Sequence, residues 1–161
     1  MKITHLLFYF LFSLIGVSDN VSERYVKEFY PSGILKYEGW VKENDKVRYW
    51  KYYYSNGTLM KKGHYKNNSK TGYWYFYGSN GALEMEGHFI KGKMEHWWLF
   101  YDARGTIDHK CQLTKGVKDG YCLRYENEKL ISAEKYNKGE KVNEWYDLYS
   151  FKKDNDLSKL R

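Results

Sequence analysis

A step of 24 residues governs this chain from Phe29 onward. The segments FYPSGILKYEG, YYSNGTLMKKG, YGSNGALEMEG and YDARGTIDHKC begin at Phe29, Tyr53, Tyr77 and Tyr101. The same step links Gly33, Gly57, Gly81 and Gly105, and likewise Leu35, Leu59, Leu83 and Ile107. Two further columns hold Gly39, Gly63 and Gly87, and Trp50, Trp74 and Trp98; the fourth unit has Cys111 and Cys122 in their places. A fifth unit opens at Tyr125, but its Leu130, Tyr136, Gly139 and Trp145 each fall one residue early. Such a period builds an array of supersecondary units in which each packs on its neighbours, and atypical units belong at the ends.

Each unit reads as two short strands. WWLFY runs into DARG and YWYFY into GSNG, and turn-forming residues between alternating runs are a hairpin signal. After the turn the pattern has period 2. Leu83, Met85, Gly87 and Phe89 face one way and Glu84, Glu86 and His88 the other, as Leu35, Tyr37, Gly39 and Val41 stand against Lys36, Glu38 and Trp40. Apolar residues three and four apart, the helical spacing, are sustained in no window from 29 to 149. The expected fold is therefore all-β: an antiparallel meander of about five hairpin units over residues 29–149, with one apolar and one solvated face. Residues 19–28 read as a lead-in strand or linker, and residues 150–161 as a tail that is either a frayed end or a short helix over the last strand. The connections KENDK, KNNSK, KGKME, KGVKD and KGEKV read as solvated turns with no further role.

The first residues differ in kind. Lys2 precedes an apolar run from Leu6 to Val17, with Gly16 and Ser18 where a secretory peptidase accepts small residues. Residues 1–18 read as a cleaved signal peptide, the alternative being a short membrane anchor; the run is shorter than the ~20 residues a spanning helix needs. A secreted or periplasmic location follows, without stable membrane insertion once the signal is removed. A net charge of +7 favours acidic surfaces or polymers without naming one. An aromatic fraction of 20% with a single proline argues against disorder, because rings supply burial that offsets chain entropy.

The cysteines fit the same frame. Cys111 and Cys122 stand opposite one another in the fourth hairpin, about a centre between Gly116 and Val117. Elsewhere those columns pair a glycine with a tryptophan, and a ring lying across the bare backbone of a facing glycine is a cross-strand packing device. Cross-strand Cβ atoms about 4.5–5.5 Å apart are close to disulfide reach, and an exported chain meets an oxidising compartment. A Cys111–Cys122 disulfide is predicted, with two buried free thiols as the alternative. The spacing is too long for a CxxC redox motif, and no His and Cys set is clustered for a metal.

With the columns aligned, the pattern YYxNGxLxxxGxYKNGxxxGxWxFY resembles the bacterial variant of the MORN repeat, found in antitoxin-like and secreted repeat proteins. The resemblance covers roughly residues 29–149 and is strongest in units two and three. It implies successive hairpins in an elongated, twisted, single-layer sheet. It also implies structural roles for Tyr53, Gly57, Leu59, Gly63, Tyr65, Gly72 and Trp74, and for Tyr77, Gly81, Leu83, Gly87, Phe89, Gly92 and Trp98. Tyr101 and Tyr125 continue the tyrosine column, and His96 stands where unit two has Gly72. Repeats of this kind serve unrelated roles, so the resemblance bears on fold more than on activity.

For function, no glycine-rich phosphate loop, GxSxG, HExxH or nucleic-acid module is present. No catalytic residue, metal site or cofactor is assigned, and nucleic acid is not an expected partner. His64 and His88 share a column on the polar face beside Glu84 and Glu86; they read as solvated strand residues, with a metal or acid–base cluster as the alternative. Trp40 and Tyr75 are unexplained rings on that face, and with His64 and His88 they form the candidate binding surface. The chain is expected to be an exported, non-enzymatic binding protein for a protein or cell-envelope component. A self-associating scaffold and an antitoxin or immunity-like role are the alternatives. The sequons at Asn20, Asn56 and Asn67 read first as turn chemistry.

Overall fold

A computed structural model describes residues 22–156; the signal-peptide segment, the Asn20 sequon and the end of the tail lie outside the described residues. Within them one antiparallel sheet takes its strands in chain order. These are β1 (Glu23–Phe29), β2 (Leu35–Lys42), β3 (Asp45–Tyr53), β4 (Leu59–Lys66), β5 (Ser69–Tyr77), β6 (Leu83–Ile90), β7 (Lys93–Tyr101), β8 (Ile107–Thr114), β9 (Val117–Glu126), β10 (Lys129–Asn137) and β11 (Glu140–Trp145). A short helix, α1 (Leu148–Asp154), follows. This is the all-β, single-layer hairpin meander expected from the period.

Two kinds of turn alternate as far as β9; the next connection, Asn127–Glu128, is a two-residue turn where a longer loop would fall. The longer loops, Tyr30–Ile34, Tyr54–Thr58, Gly78–Ala82 and Asp102–Thr106, are closed by a backbone hydrogen bond of 2.8–2.9 Å from their first residue to their last. They place Gly33, Gly57, Gly81 and Gly105 at φ between +81° and +86°, which is why that column is glycine. The short turns Asn67–Asn68, Lys91–Gly92, Lys115–Gly116 and Lys138–Gly139 have positive φ at both central residues, the type I′ geometry that suits twisted strands. Asn68, Gly92, Gly116 and Gly139 donate their N–H groups to the carbonyls of Lys46, Lys70, Met94 and Lys118 at 2.8–3.1 Å, locking each turn to the unit before it.

A bulge lies between each short turn and its tryptophan. Trp40 faces Val47 but Gly39 faces Trp50, so β3 carries two extra residues; β5, β7 and β9 do the same. Arg48, Gly72, His96 and Gly120 take positive φ there, so His96 adopts the backbone of Gly72 despite its side chain. The bulge also moves the fourth turn: it is centred on Lys115–Gly116, and not between Gly116 and Val117, because β9 has the longer arm.

The tryptophans close these bulges. The Nε1 groups of Trp50, Trp74 and Trp98 donate to the carbonyls of Trp40, His64 and His88 at 3.0, 3.1 and 3.1 Å. Their rings lie so close over Gly39, Gly63 and Gly87 that a Cβ would sit 2.2–2.6 Å from ring carbons. All three tryptophans are essentially inaccessible to solvent, at 0–1% exposure. Tyr52, Tyr65, Phe76, Phe89, Met94 and Phe100 pack around them, so one layer makes its own core. In the fourth unit Cys111 and Cys122 are joined by a disulfide, with their Cα atoms 4.0 Å apart. There the Gln112 side chain accepts from the Tyr121 N–H at 2.8 Å, satisfying a bulge donor.

Unit five departs from the pattern more deeply than a shift of one residue in sequence. Opposite Cys122, where earlier strands offer glycine or cysteine, stands Glu134, which leaves no bare backbone for a ring. The bulge in β11 holds one extra residue, and Trp145 faces Ala133. A slip of one residue turns a side chain to the other face, so Trp145 belongs on the face opposite Trp98 and not in the tryptophan column. The tail is the short helix of the two alternatives, and it begins before residue 150, at Leu148. It lies over this displaced ring: Phe151 packs edge-on 5.2 Å from Trp145, and Trp145 Nε1 donates to Asp154 at 2.9 Å. Asp147 caps the helix by accepting from the Ser150 N–H.

Candidate binding faces

The face that carries Trp50, Trp74 and Trp98 is the inner face, and the opposite one the outer face. On the outer face a row of rings crosses the sheet. Tyr25 meets Trp40 at 5.3 Å, Tyr49 meets His64 at 4.9 Å and Tyr73 meets His88 at 4.8 Å, all edge-on. Trp97 continues the row, with the Lys110 ammonium 5.3 Å from its centroid. The structure thus brings Trp40, His64 and His88 into one row. Tyr75 flanks it, 5.1 Å from Tyr73 and with Lys62 4.9 Å from its ring. The other members, Tyr25, Tyr49, Tyr73 and Trp97, escape a reading centred on the turns, although they keep the 24-residue step and end in Tyr121.

The outer-face carboxylates Glu38 and Glu86 are engaged by lysines and tyrosines. The column Glu38, Lys62, Glu86, Lys110 alternates in sign. Glu38 accepts from the Tyr53 hydroxyl at 2.8 Å and lies 3.7 and 3.8 Å from Lys27 and Lys51. Burial pushes its carboxyl up, but the hydrogen bonds from Tyr53 and Tyr25 and the two lysines outweigh burial and hold it below the ordinary value. Tyr101 donates to Glu86 at 2.6 Å. His64 and His88 each pack against a tyrosine and sit two strands apart, roughly 9.5 Å. Among the described residues no three His, Cys, Asp or Glu side chains are grouped to hold a metal ion. Of the sequons, Asn56 donates its amide to the Ser79 carbonyl at 2.9 Å, tying neighbouring loops.

The inner face holds residues that the turn reading misassigned. Lys46 and Lys70, taken as solvated turn lysines, lie at the starts of β3 and β5 and lay their stems over the core. The Lys46 ammonium is 4.8 Å from the Trp50 ring, 5.2 Å from the Tyr52 ring and 2.9 Å from the Tyr52 hydroxyl. Lys61, on β4, is 4.7 Å from the same Tyr52 ring. Lys70 is 4.7 Å from Phe89, 5.0 Å from Trp74 and 5.1 Å from Phe76. Burial pushes all three amines below the ordinary lysine value, and the Lys61 charge adds to the effect on Lys46 and Lys70. The signal was the exact step from Lys46 to Lys70 and Lys118, interrupted by Met94.

Alkaline stability follows from these groups. Burial first, then the Tyr65 bond, raises Tyr52; burial, then Glu38, raises Tyr53; burial, then Glu86, raises Tyr101, and also Tyr73 to about 12. Above the ordinary phenol value of 10.0 the unfolded chain loses protons that the fold retains, so stability falls as pH climbs from there toward the folded values. The three lysines act oppositely: their folded values lie below 10.5, so stability rises as pH approaches 10.5 and their mutual repulsion disappears. Urea midpoints measured against pH are expected to hold or rise up to about pH 10 and to drop beyond it, together with the onset of tyrosinate absorbance. A midpoint that declines steadily from neutrality would contradict this.

Fold and faces together define a one-dimensional array of β-hairpins with a ring row on one side and a lysine row over the core on the other. No family model matches the chain, and comparison with curated proteins gives no significant match. Among the described residues no helix is long and apolar enough to cross a membrane.

Proposed function

We propose that this chain is an exported, non-enzymatic binding protein whose outer face docks a protein or a cell-envelope component. The ring row from Tyr25 to Trp97 carries this reading: on consecutive strands it presents histidine together with tyrosine and tryptophan, and the last two are among the residue types that dominate binding energy at interfaces. Export is supported by the apolar leader and by the Cys111–Cys122 disulfide. Self-association through the sheet edges is the weaker reading. Strands β1 and β11 are the free edges, and Glu23, Arg24, Lys27 and Glu28 on one and Glu140, Lys141 and Glu144 on the other guard against edge pairing.

Intrinsic fluorescence tests the proposal cleanly, because Trp50, Trp74, Trp98 and Trp145 are buried while Trp40 and Trp97 are partly open on the outer face. Titration with purified envelope material and, separately, with secreted proteins of the producing cell is expected to shift this emission. The Trp40→Ala/Tyr73→Ala variant should weaken binding by about 2 kcal/mol, roughly thirtyfold. Undiminished binding by that variant would move the function off this face. Sizing at several concentrations checks self-association: a regular oligomer would revive the scaffold reading.

A further inference from the structure

The inner face gathers three lysines on adjacent strands, whereas on the outer face the column position of Glu86 falls between Lys62 and Lys110. On strands β3 to β5 Lys46, Lys61 and Lys70 converge, and among the described residues none of the three forms an ion pair with a carboxylate. Acidic groups on this face lie toward its ends and are engaged there. Glu28 accepts from Tyr37 at 2.5 Å and from Lys36 at 3.2 Å; Glu134 accepts from Tyr136 at 3.0 Å and from Lys141 at 3.5 Å. Beside Lys46 an open cleft of about 510 Å³ is lined also by Tyr37, Val41 and Trp50, by Arg24, which adds a further cation, and by Glu28, whose carboxylate is engaged by Tyr37 and Lys36. Three ammonium groups held together repel one another; the ring faces and the Tyr52 hydroxyl offset part of that repulsion, and no ion pair with a carboxylate of the described chain adds to this. A bound anion would.

We infer that this face is a binding site for a linear acidic polysaccharide, its carboxylates pairing with Lys46, Lys61 and Lys70 and its sugar C–H surface covering the edges of Tyr52, Tyr65 and Phe76. Several observations select this occupant. The ring faces already carry ammonium groups at 4.7–5.2 Å, so a nucleobase finds no free face to stack on. Lys46 and Lys70 occupy equivalent positions two strands apart, roughly 9.5 Å. Carboxylates on one side of an extended uronic-acid chain recur at every second sugar, a closely similar interval, whereas those of an extended acidic peptide recur at about 6.8 Å. The site lies on the face opposite the ring row, so it and the proposed function stand or fall separately.

Calorimetric titration of the full chain with polygalacturonate provides the test. Binding is expected that weakens as salt is raised, with no binding of the methyl-esterified polymer. Lys61→Gln keeps an unbranched polar side chain, one atom shorter, and removes its charge; it should weaken binding about tenfold without lowering the urea midpoint. Lys70→Gln repeats the loss on the next strand, and Lys62→Gln on the outer face leaves binding unchanged. Absence of binding to polygalacturonate would overturn the inference. So would equal binding of the ester, equal losses from Lys61→Gln and Lys62→Gln, or tighter binding of polyphosphate, anionic phospholipid vesicles or oligothymidylate.

Discussion

Trp74→Ala is expected to lower stability by about 3–5 kcal/mol, and Gly63→Ala by about 1–3 kcal/mol or somewhat more. The double variant is expected to cost no more than Trp74→Ala alone. Trp74 has 0% exposure in a sheet with no second layer, so its ring is both core and lid for this part of the sheet. Removing it exposes the faces of Tyr65, Phe76 and Phe89 and frees the His64 carbonyl that its Nε1 satisfied. Gly63→Ala attacks the same contact from below, since the new Cβ would sit 2.3–2.5 Å from three ring carbons. Once the ring is gone, the three atoms nearest to that methyl group are gone with it, and alanine in a strand interior is more favourable than glycine. Urea unfolding of the four proteins gives the coupling energy directly. Additive losses would show that the glycine column serves the backbone and not the ring.

This coupling explains which parts of the fold were legible in the sequence. The period, the hairpins and the facing of glycine by tryptophan or cysteine by cysteine all follow from side-chain identity at fixed spacing. A bulge has no such signature. Arg48 and His96 adopt the left-handed backbone that Gly72 and Gly120 adopt, so residue type at that column hides the conformation. The extra residues move the turn away from its expected centre and place Tyr49, Tyr73 and Trp97 beside the histidine column. The change of face at Trp145 was equally concealed. Its distance from Gly139 matches that of Trp98 from Gly92, and only the exchange of a facing glycine for Glu134 beside Ala133 distinguishes the two.

The two faces were legible to different degrees for a related reason. Trp40, Tyr75, His64 and His88 stood out because large rings at polar-face positions contradict simple alternation. Lysines beside turns contradict nothing, and Lys46 and Lys70 therefore look like solvated charges until the packing of their stems on Trp50 and Trp74 is seen. A thin sheet makes this ambiguity general, since long polar side chains are needed to complete its core.

Replacing both cysteines by serine is expected to cost about 3 kcal/mol, the chain-entropy value for closing a loop of this size. The Cys111→Gly/Cys122→Trp variant should recover most of that loss and become insensitive to reductant. The disulfide stands where units one to three set a ring on a glycine, and the new indole has its acceptor in place: the Gln112 carbonyl is the counterpart of the His88 carbonyl that accepts from Trp98. Leu113 and Tyr136 line the space beside the bridge and belong to the same packed cluster as Phe89 and Trp98. Urea midpoints with and without reductant separate the cases. Wild type should fall on reduction to near the serine pair, while the glycine–tryptophan pair stays above it in both conditions. A glycine–tryptophan variant no more stable than the serine pair would mean that the fourth unit, next to the displaced Trp145 and its helix, has diverged too far to accept the ring. The cross-link would then be a constraint on the unfolded chain and not a substitute for packing.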